Sequence, residues 1–127
     1  MSINEFKHPV MVLPFNNCEL HCCSVDGYKG NSEALLSRLK AIDDYFASKS
    51  KVSRYRIWYN VDDSILTDDI IECIAKSLHK INDNIIKIAF IGTNRKKRRF
   101  DKILRKTTFN KPVCYFSDAE LAKEWLV

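Results

Sequence analysis

The densest group of residues able to do chemistry in this 127-residue chain is a run of basic side chains near its carboxyl-terminal end. Eight bases and one acid give the twelve residues from 95 to 106 a charge of +7, and the rest of the chain carries −2. The formal net charge of +5 therefore hides a mildly acidic domain with one basic patch. The eight bases are Arg95, Lys96, Lys97, Arg98, Arg99, Lys102, Arg105 and Lys106.

A helix is predicted over residues 95–106, the same residues as the basic run. Five of the bases, residues 95–99, therefore begin the helix in its first turn. Bases in a first helical turn oppose the helix dipole and repel one another, so local stability does not explain them. A conflict of this kind is typical of a functional site. The turn before the helix would present free backbone N–H groups to an anion. We predict an anion site, with Lys96 rotated away from it, at Gly92, Thr93, Asn94, Arg95, Arg98 and Arg99.

Two other interpretations of the basic run stay open. It is either a solvated helix face or a surface that binds nucleic acid or another anionic surface through residues 95–106. Phe100 is the one aromatic residue in the run, and we expect it to be buried. Nucleic-acid binding would then be led by the phosphate backbone, without base stacking. The turn at Gly92 lacks both common glycine-rich nucleotide motifs, so a nucleotide enzyme is not predicted.

Cysteines and histidines suggest metal binding or nucleophilic catalysis, but their pattern favours neither. His21 and Cys22 point to opposite faces of a predicted strand, and no second Cys/His pair stands at zinc spacing. A nucleophile at Cys22 or Cys114 would need a nearby histidine, and no Cys–His signature is present. We predict thiols in the core, with no metal and no cofactor. The other cysteines are Cys18, Cys23 and Cys73, and the three histidines, His8, His21 and His79, are expected on the surface.

Paired carboxylates occur twice, at Asp62-Asp63 and at Asp68-Asp69. Helix-start electrostatics explain the second pair, and solvation of a loop explains the first. A small enzyme that depends on cysteine or carboxylate chemistry is the least favoured alternative.

The elements that position these residues alternate after an opening hairpin. Predicted strands cover residues 10–15, 19–25, 54–61, 85–91 and 113–116. Predicted helices begin near Asn31 or Ser32, at Thr67, at Arg95 and at the capping box 117–120. The apolar stripe of the first helix comprises Leu35, Leu36, Leu39, Ile42 and Phe46. Parallel neighbours need crossover connections, so this order predicts an α/β fold with a mostly parallel sheet and about four helices.

The element order resembles the STAS superfamily, and most closely its SpoIIAA-like branch. The specific part is the apolar strand 85–91, the turn 92–94, the strand Val-Cys-Tyr-Phe at 113–116, and the helix that ends in Glu-Trp-Leu at 124–126. The resemblance implies a SpoIIAA-like (STAS) fold over residues 1–127 and a binding or regulatory module. The phosphoacceptor position of that family falls nearest Thr67, where Asp68 and Asp69 replace small residues. Two carboxylates would repel a phosphothreonine, so we predict that Thr67 is a structural helix cap.

Composition bounds the remaining possibilities. At 46% hydrophobic residues the chain can form one domain with a real core. The odd count of five cysteines, with no C-x-x-C, no signal-peptide pattern and no apolar stretch of membrane length, predicts a reduced cytoplasmic protein. We expect a non-catalytic module that binds a protein partner or a small apolar or anionic ligand.

Overall fold

The computed structural model describes residues 9–107 and 109–127. Five strands form one sheet in sequential order: β1 (Val10–Phe15), β2 (Cys18–Ser24), β3 (Tyr55–Asn60), β4 (Ile85–Ile91) and β5 (Val113–Phe116). The β1–β2 pair is antiparallel and the other three pairs are parallel. The hairpin turns at Asn16 and Asn17, which both adopt the positive φ that a tight two-residue turn requires. The predicted α/β class and mostly parallel sheet are confirmed.

In the described part of the chain, four α-helices cover the sheet: α1 (Ser32–Ala47), α2 (Asp68–Lys80), α3 (Lys97–Lys106) and α4 (Ala119–Leu126). The first three connect parallel neighbours that succeed one another in one direction. Because such crossovers are right-handed, all three helices lie on the same face of the sheet. The described residues include no helix long and apolar enough to cross a membrane.

The larger core lies between the sheet and α1, α2 and α3. Alternating strand residues such as Ile57, Ile88 and Phe90 meet the apolar stripes of the three helices there, and each is fully buried. This burial confirms the prediction for those three residues. The stripe of α1 is narrower than predicted: Leu36 is 44% exposed because it faces the outer groove between α1 and α2.

Among the residues that the structure describes, α4 is the one helix on the opposite face of the sheet, where it packs on Leu20, Cys22 and Ala89. The last carbonyls of α4 accept hydrogen bonds from basic side chains of the sheet: Arg56 donates to Leu126 O and Lys87 to Trp125 O, each at 2.5 Å. Cations suit the carbonyl end of a helix. This contact explains why Lys87 interrupts an otherwise apolar central strand.

Two helix starts differ from the sequence-based prediction. Residues Asn94–Lys96 form a separate 3₁₀ turn, so α3 begins at Lys97 and not at Arg95. Lys96, between this turn and α3, has φ −88° and ψ 0°, outside the α-helical region, and its N–H donates to Thr93 O at 2.9 Å in the 3₁₀ pattern. In α4 the cap is Asp118, whose carboxylate accepts from Glu120 N at 2.8 Å, and not Ser117.

Candidate functional site

Three loops meet at the carboxyl ends of the parallel strands. They follow β2, β3 and β4, and parallel strands bring their carboxyl ends to the same edge of a sheet. Between them lies a groove of about 760 Å³, called the carboxyl-edge groove below. Its lining residues are Lys29, Asp63, Ser64, Ile65, Leu66, Gly92, Thr93, Asn94, Arg95 and Lys96.

The first two loops are joined by backbone hydrogen bonds. Gly27 N donates to Asp62 O at 2.9 Å, Lys29 N donates to Asp63 O at 2.8 Å, and Ile65 N donates back to Lys29 O at 2.8 Å. These bonds continue the parallel pairing of β2 and β3 beyond the strands, as the isolated bridge between residues 29 and 64 also shows. One wall of the groove is therefore held in place by main-chain contacts.

The hydroxyl groups nearest the family phosphoacceptor position are both engaged. Ser64 Oγ donates to Val25 O at 2.7 Å and accepts from Tyr28 N at 3.1 Å. Thr67 Oγ1 accepts from Ile70 N at 3.3 Å, which makes Thr67 the cap of α2 as predicted. Modifying either hydroxyl would displace a contact that holds the local backbone.

The third loop approaches the second through Gly92. This residue has φ +84°, and a Cβ atom built on it would lie 2.6 Å from both Cα and Cβ of Asp62. Only glycine fits such a contact without displacing the neighbouring backbone. Gly92 N donates to Phe116 O at 3.1 Å, so the same residue also connects the loop to β5.

Unfavourable backbone conformations are concentrated around the groove. Among the described residues, five that are not glycine have positive φ, and two of them, Asn16 and Asn17, form the distant hairpin turn. The other three, Lys29, Asp63 and Asn94, have φ between +50° and +55° and all line the groove. Asn and Asp adopt left-handed conformations more readily than other non-glycine residues, whereas a left-handed lysine is uncommon. Such conformations tend to collect at binding sites, where the surrounding contacts hold them.

The groove is cationic, with an apolar part. Lys29, Arg95 and Lys96 stand against one carboxylate, Asp63, which leaves the lining with a net charge of +2. Ile65 lines the same groove and is 58% exposed. The arrangement suits a ligand that joins an anionic group to an apolar one.

The predicted anion site is only partly gathered in this groove. Gly92, Thr93, Asn94 and Arg95 line it, whereas Arg98 and Arg99 do not. The expectation that these three arginines share one side assumed a single helix from Arg95. The 3₁₀ turn over residues 94–96 breaks that register and brings Lys96, which was expected to point away, into the lining.

Arg99 instead binds the start of the neighbouring helix. Its Nε donates to Asp68 Oδ1 at 2.9 Å and its Nη2 donates to Asp68 Oδ2, a bidentate pair on the surface. The hydrogen bonds from Arg99 lower the pKa of Asp68. This pair connects α2 to α3, and α3 has no side-chain cap of its own. The contact between Arg99 and Asp68 could have been predicted from the sequence. Both residues lie in the first turns of helices that follow neighbouring parallel strands, and such helices begin side by side at the carboxyl edge of the sheet.

Lys29 is the groove residue that sequence reasoning missed. It lies in the loop before α1, far along the chain from the basic run. No local pattern announces its left-handed conformation, since that conformation depends on the hydrogen bonds to the β3–α2 loop.

The cysteine and histidine candidates do not form a reactive centre among the described residues. Burial raises the pKa of Cys22 to about 11 and also raises the pKa of Cys23, so neither thiol ionises near neutral pH. Cys22 packs under α4 and Cys23 in the larger core, on opposite faces of β2. His8 lies outside the described residues. Within residues 9–107 and 109–127, no three His, Cys, Asp or Glu side chains form a group that could hold a metal ion.

Comparisons with protein-family models, with curated proteins and with solved structures found no match to this chain.

Proposed function

We propose that this protein is a non-catalytic binding or regulatory module that takes an anionic ligand in the carboxyl-edge groove. The observation that carries the proposal is that three left-handed residues which are not glycine, Lys29, Asp63 and Asn94, all line one cationic groove. Such strain is maintained only where surrounding contacts over-determine it, and binding sites are the usual place.

The lining favours a particular class of ligand. Lysine and arginine side chains recognise phosphate and carboxylate oxygens, and arginine does so with two parallel hydrogen bonds. The exposed Ile65 adds an apolar surface beside them. A small molecule or a protein segment that carries a phosphate or carboxylate next to an apolar group fits both features.

A binding role also agrees with the state of the reactive groups. The hydroxyl of Ser64 is committed to two backbone contacts, and Asp68 is bound by Arg99. Raised thiol pKa values disfavour Cys22 and Cys23 as nucleophiles. The alternative of a cysteine- or carboxylate-dependent enzyme therefore has less support than binding.

The proposal includes membership of the SpoIIAA-like branch of the STAS superfamily. A hairpin followed by three parallel crossovers in sequential order supports this assignment. The engaged hydroxyl groups of Ser64 and Thr67 argue that the module does not use the phosphoswitch of that family. Its five free cysteines suit a reducing compartment, and the proposal places the protein in the cytoplasm.

Charge reversal in the groove tests the proposal. The variant Lys29→Glu/Arg95→Glu/Lys96→Glu changes the three cations of the lining. Thermal unfolding of wild type and variant is followed with and without phosphate, sulfate and a short-chain alkyl phosphate. A ligand that binds only the folded state raises the melting temperature by mass action. We expect the anions to raise the melting temperature of the wild type and not that of the variant, with the alkyl phosphate most effective.

A control variant separates a site from general charge. Lys40→Glu/Lys51→Glu/Lys76→Glu makes the same change in net charge at three exposed lysines outside the groove. This control should keep the full response to anions. If the groove variant responds as the wild type does, or if control and groove variant lose the response equally, the groove is not the site. Native mass spectrometry of the purified protein would then report which ligand, if any, it carries.

A further inference from the structure

The eight bases between residues 95 and 106 divide into three groups by their surroundings. Arg95 and Lys96 belong to the carboxyl-edge groove. Three others make contacts within the protein: Arg99 with Asp68, Arg105 with loop carbonyls, and Lys97 over the ring of Tyr115, 5.8 Å from its centroid. The last group, Arg98, Lys102 and Lys106, is exposed and makes no hydrogen bond or ion pair with any described residue, although the charge of Lys106 contributes to the lowered pKa of Asp68.

The unpaired group forms a row along α3. Its members are four residues apart, so each is displaced from the next by about 6 Å along the helix axis. The opposite side of α3 buries Phe100, Ile103 and Leu104 in the core, which directs the row to solvent. Like charges at this spacing destabilise an isolated helix. Nothing in the packing of α3 accounts for them.

The single carboxylate of this segment does not neutralise the row. Asp101 accepts a hydrogen bond from Tyr115 Oη at 2.9 Å and lies 3.5 Å from Arg105 Nε. The Asp101 carboxylate thus contacts a tyrosine of β5 and an arginine of its own helix, and neither belongs to the row. The exposed face of α3 keeps an uncompensated positive charge on a domain that is otherwise slightly acidic.

The chemistry of this face limits its partner. α3 exposes no large apolar side chain. Protein interfaces depend on buried aromatic and apolar anchors, and insertion into a membrane needs an apolar helix face. A row of cations alone matches a partner that offers regularly repeated anions, and the phosphodiester backbone of a nucleic acid is such a partner.

We propose that the row Arg98, Lys102 and Lys106 binds the phosphate backbone of a nucleic acid without reading its sequence. The surface lies outside the carboxyl-edge groove, and neither activity depends on the other. Binding should be weak at physiological salt and should fall steeply as salt rises, because each neutralised phosphate releases counterions.

The test is a salt titration of binding to labelled single-stranded and duplex oligonucleotides of mixed sequence, measured by fluorescence anisotropy between about 50 and 200 mM salt. The variant Arg98→Gln/Lys102→Gln/Lys106→Gln removes the three charges and keeps polar side chains on the helix surface. Loss of three phosphate contacts should lower the slope of log K against log salt by about 2.7 for duplex and about 2.1 for single strand. Affinity should depend little on base sequence.

Control variants and competing surfaces make the outcome decisive. Lys40→Gln/Lys51→Gln/Lys76→Gln makes the same charge change elsewhere and should keep most of the salt slope. The proposal is wrong if the wild type does not bind at the lowest salt, or if row and control variants lose the same slope. It is equally wrong if the protein binds vesicles of anionic lipid and not oligonucleotides. Circular dichroism confirms that each variant is folded before its binding is compared.

Discussion

Replacing Gly92 with alanine would place a Cβ atom where the neighbouring loop already lies. The new atom would come within 2.6 Å of Asp62 Cα and 2.8 Å of Asp62 N. Both contacts are with backbone, so no side-chain rotation relieves them. The loop after β3 would have to move away from the loop after β4, and these two loops form adjoining parts of the groove.

The other two glycines of the chain provide matched controls. Gly27 also has a left-handed φ, +77°, but a Cβ atom there would meet nothing within 4 Å. Gly30 lies outside the left-handed region, and its Cβ would make an ordinary 3.6 Å contact with the side chain of Ile65. Gly92→Ala therefore adds both a steric clash and backbone strain, Gly27→Ala adds backbone strain alone, and Gly30→Ala adds neither.

The magnitudes follow from these differences. A left-handed alanine costs about 1–2 kcal/mol, and the stiffer unfolded chain returns about 0.4–1 kcal/mol. Gly27→Ala should thus lower the free energy of unfolding by about 0–1.6 kcal/mol. Overpacking against a fixed backbone adds about 1–3 kcal/mol, so Gly92→Ala should cost about 1–5 kcal/mol and always more than Gly27→Ala. Gly30→Ala should be neutral or slightly stabilising.

Urea denaturation of the three variants measures these differences, and the anion-induced rise in melting temperature is recorded for each. We expect Gly92→Ala to be the least stable and to lose the anion response, and Gly27→Ala to keep it. If Gly92→Ala is no more destabilised than Gly27→Ala, the close approach of the two loops does not hold in solution. The account of how the groove is formed would then be wrong.

Three further predictions concern the core and the helix ends. Ile88→Ala should lower the free energy of unfolding by about 2–5 kcal/mol in a denaturant titration, whereas Ile86→Ala, at a partly exposed position, should cost much less. Thr67→Ala should lower the free energy of unfolding by about 1 kcal/mol through loss of the α2 cap, and Thr67→Ser should keep most of the wild-type value. Stoichiometric phosphate on Thr67 or Ser64 after treatment with an anti-sigma-type kinase would contradict the capping role. Burial lowers the pKa of His21, so the unfolded chain binds a proton at this residue first. The contribution of His21 to the free energy of unfolding should be constant above about pH 6.5 and be lost as pH decreases below it, and His21→Gln, compared by urea denaturation at each pH, should reduce this loss.

Local patterns were sufficient for most of the elements. The strands Val10–Phe15, Ile85–Ile91 and Val113–Phe116 have the predicted bounds, because alternation, apolar runs and flanking turn residues are properties of short segments. The predicted bounds of β2 and β3 differ from the structure by one residue at each end. Chain order then determined the topology, since parallel neighbours need crossovers and these have one hand.

The groove was less predictable, because contacts between distant segments create it. The sequence predicted the third loop as part of a site, because basic residues in a first helical turn oppose the helix dipole. Lys29 and Asp63 have no such signal: their left-handed conformations depend on hydrogen bonds between loops more than thirty residues apart. The start of α3 was misplaced because residues 94–96 form a 3₁₀ turn, and Lys96, with φ −88° and ψ 0°, interrupts the α-helical backbone.

The eight bases between residues 95 and 106 have three different kinds of surroundings in the structure. Intramolecular partners account for three of the eight bases, because Arg99 and Arg105 bind protein oxygens and Lys97 lies over an aromatic ring. Two more, Arg95 and Lys96, line the carboxyl-edge groove from the 3₁₀ turn that precedes α3. The other three, Arg98, Lys102 and Lys106, lie on the outer face of α3, which is charged and exposes no large apolar side chain.

If the whole run were only a solvated face, neutralising any three of its bases would have the same effect on the binding of anions. The structure predicts the opposite: changes in the groove should abolish the response to small anions and leave nucleic-acid binding, and changes in the outer row should do the reverse.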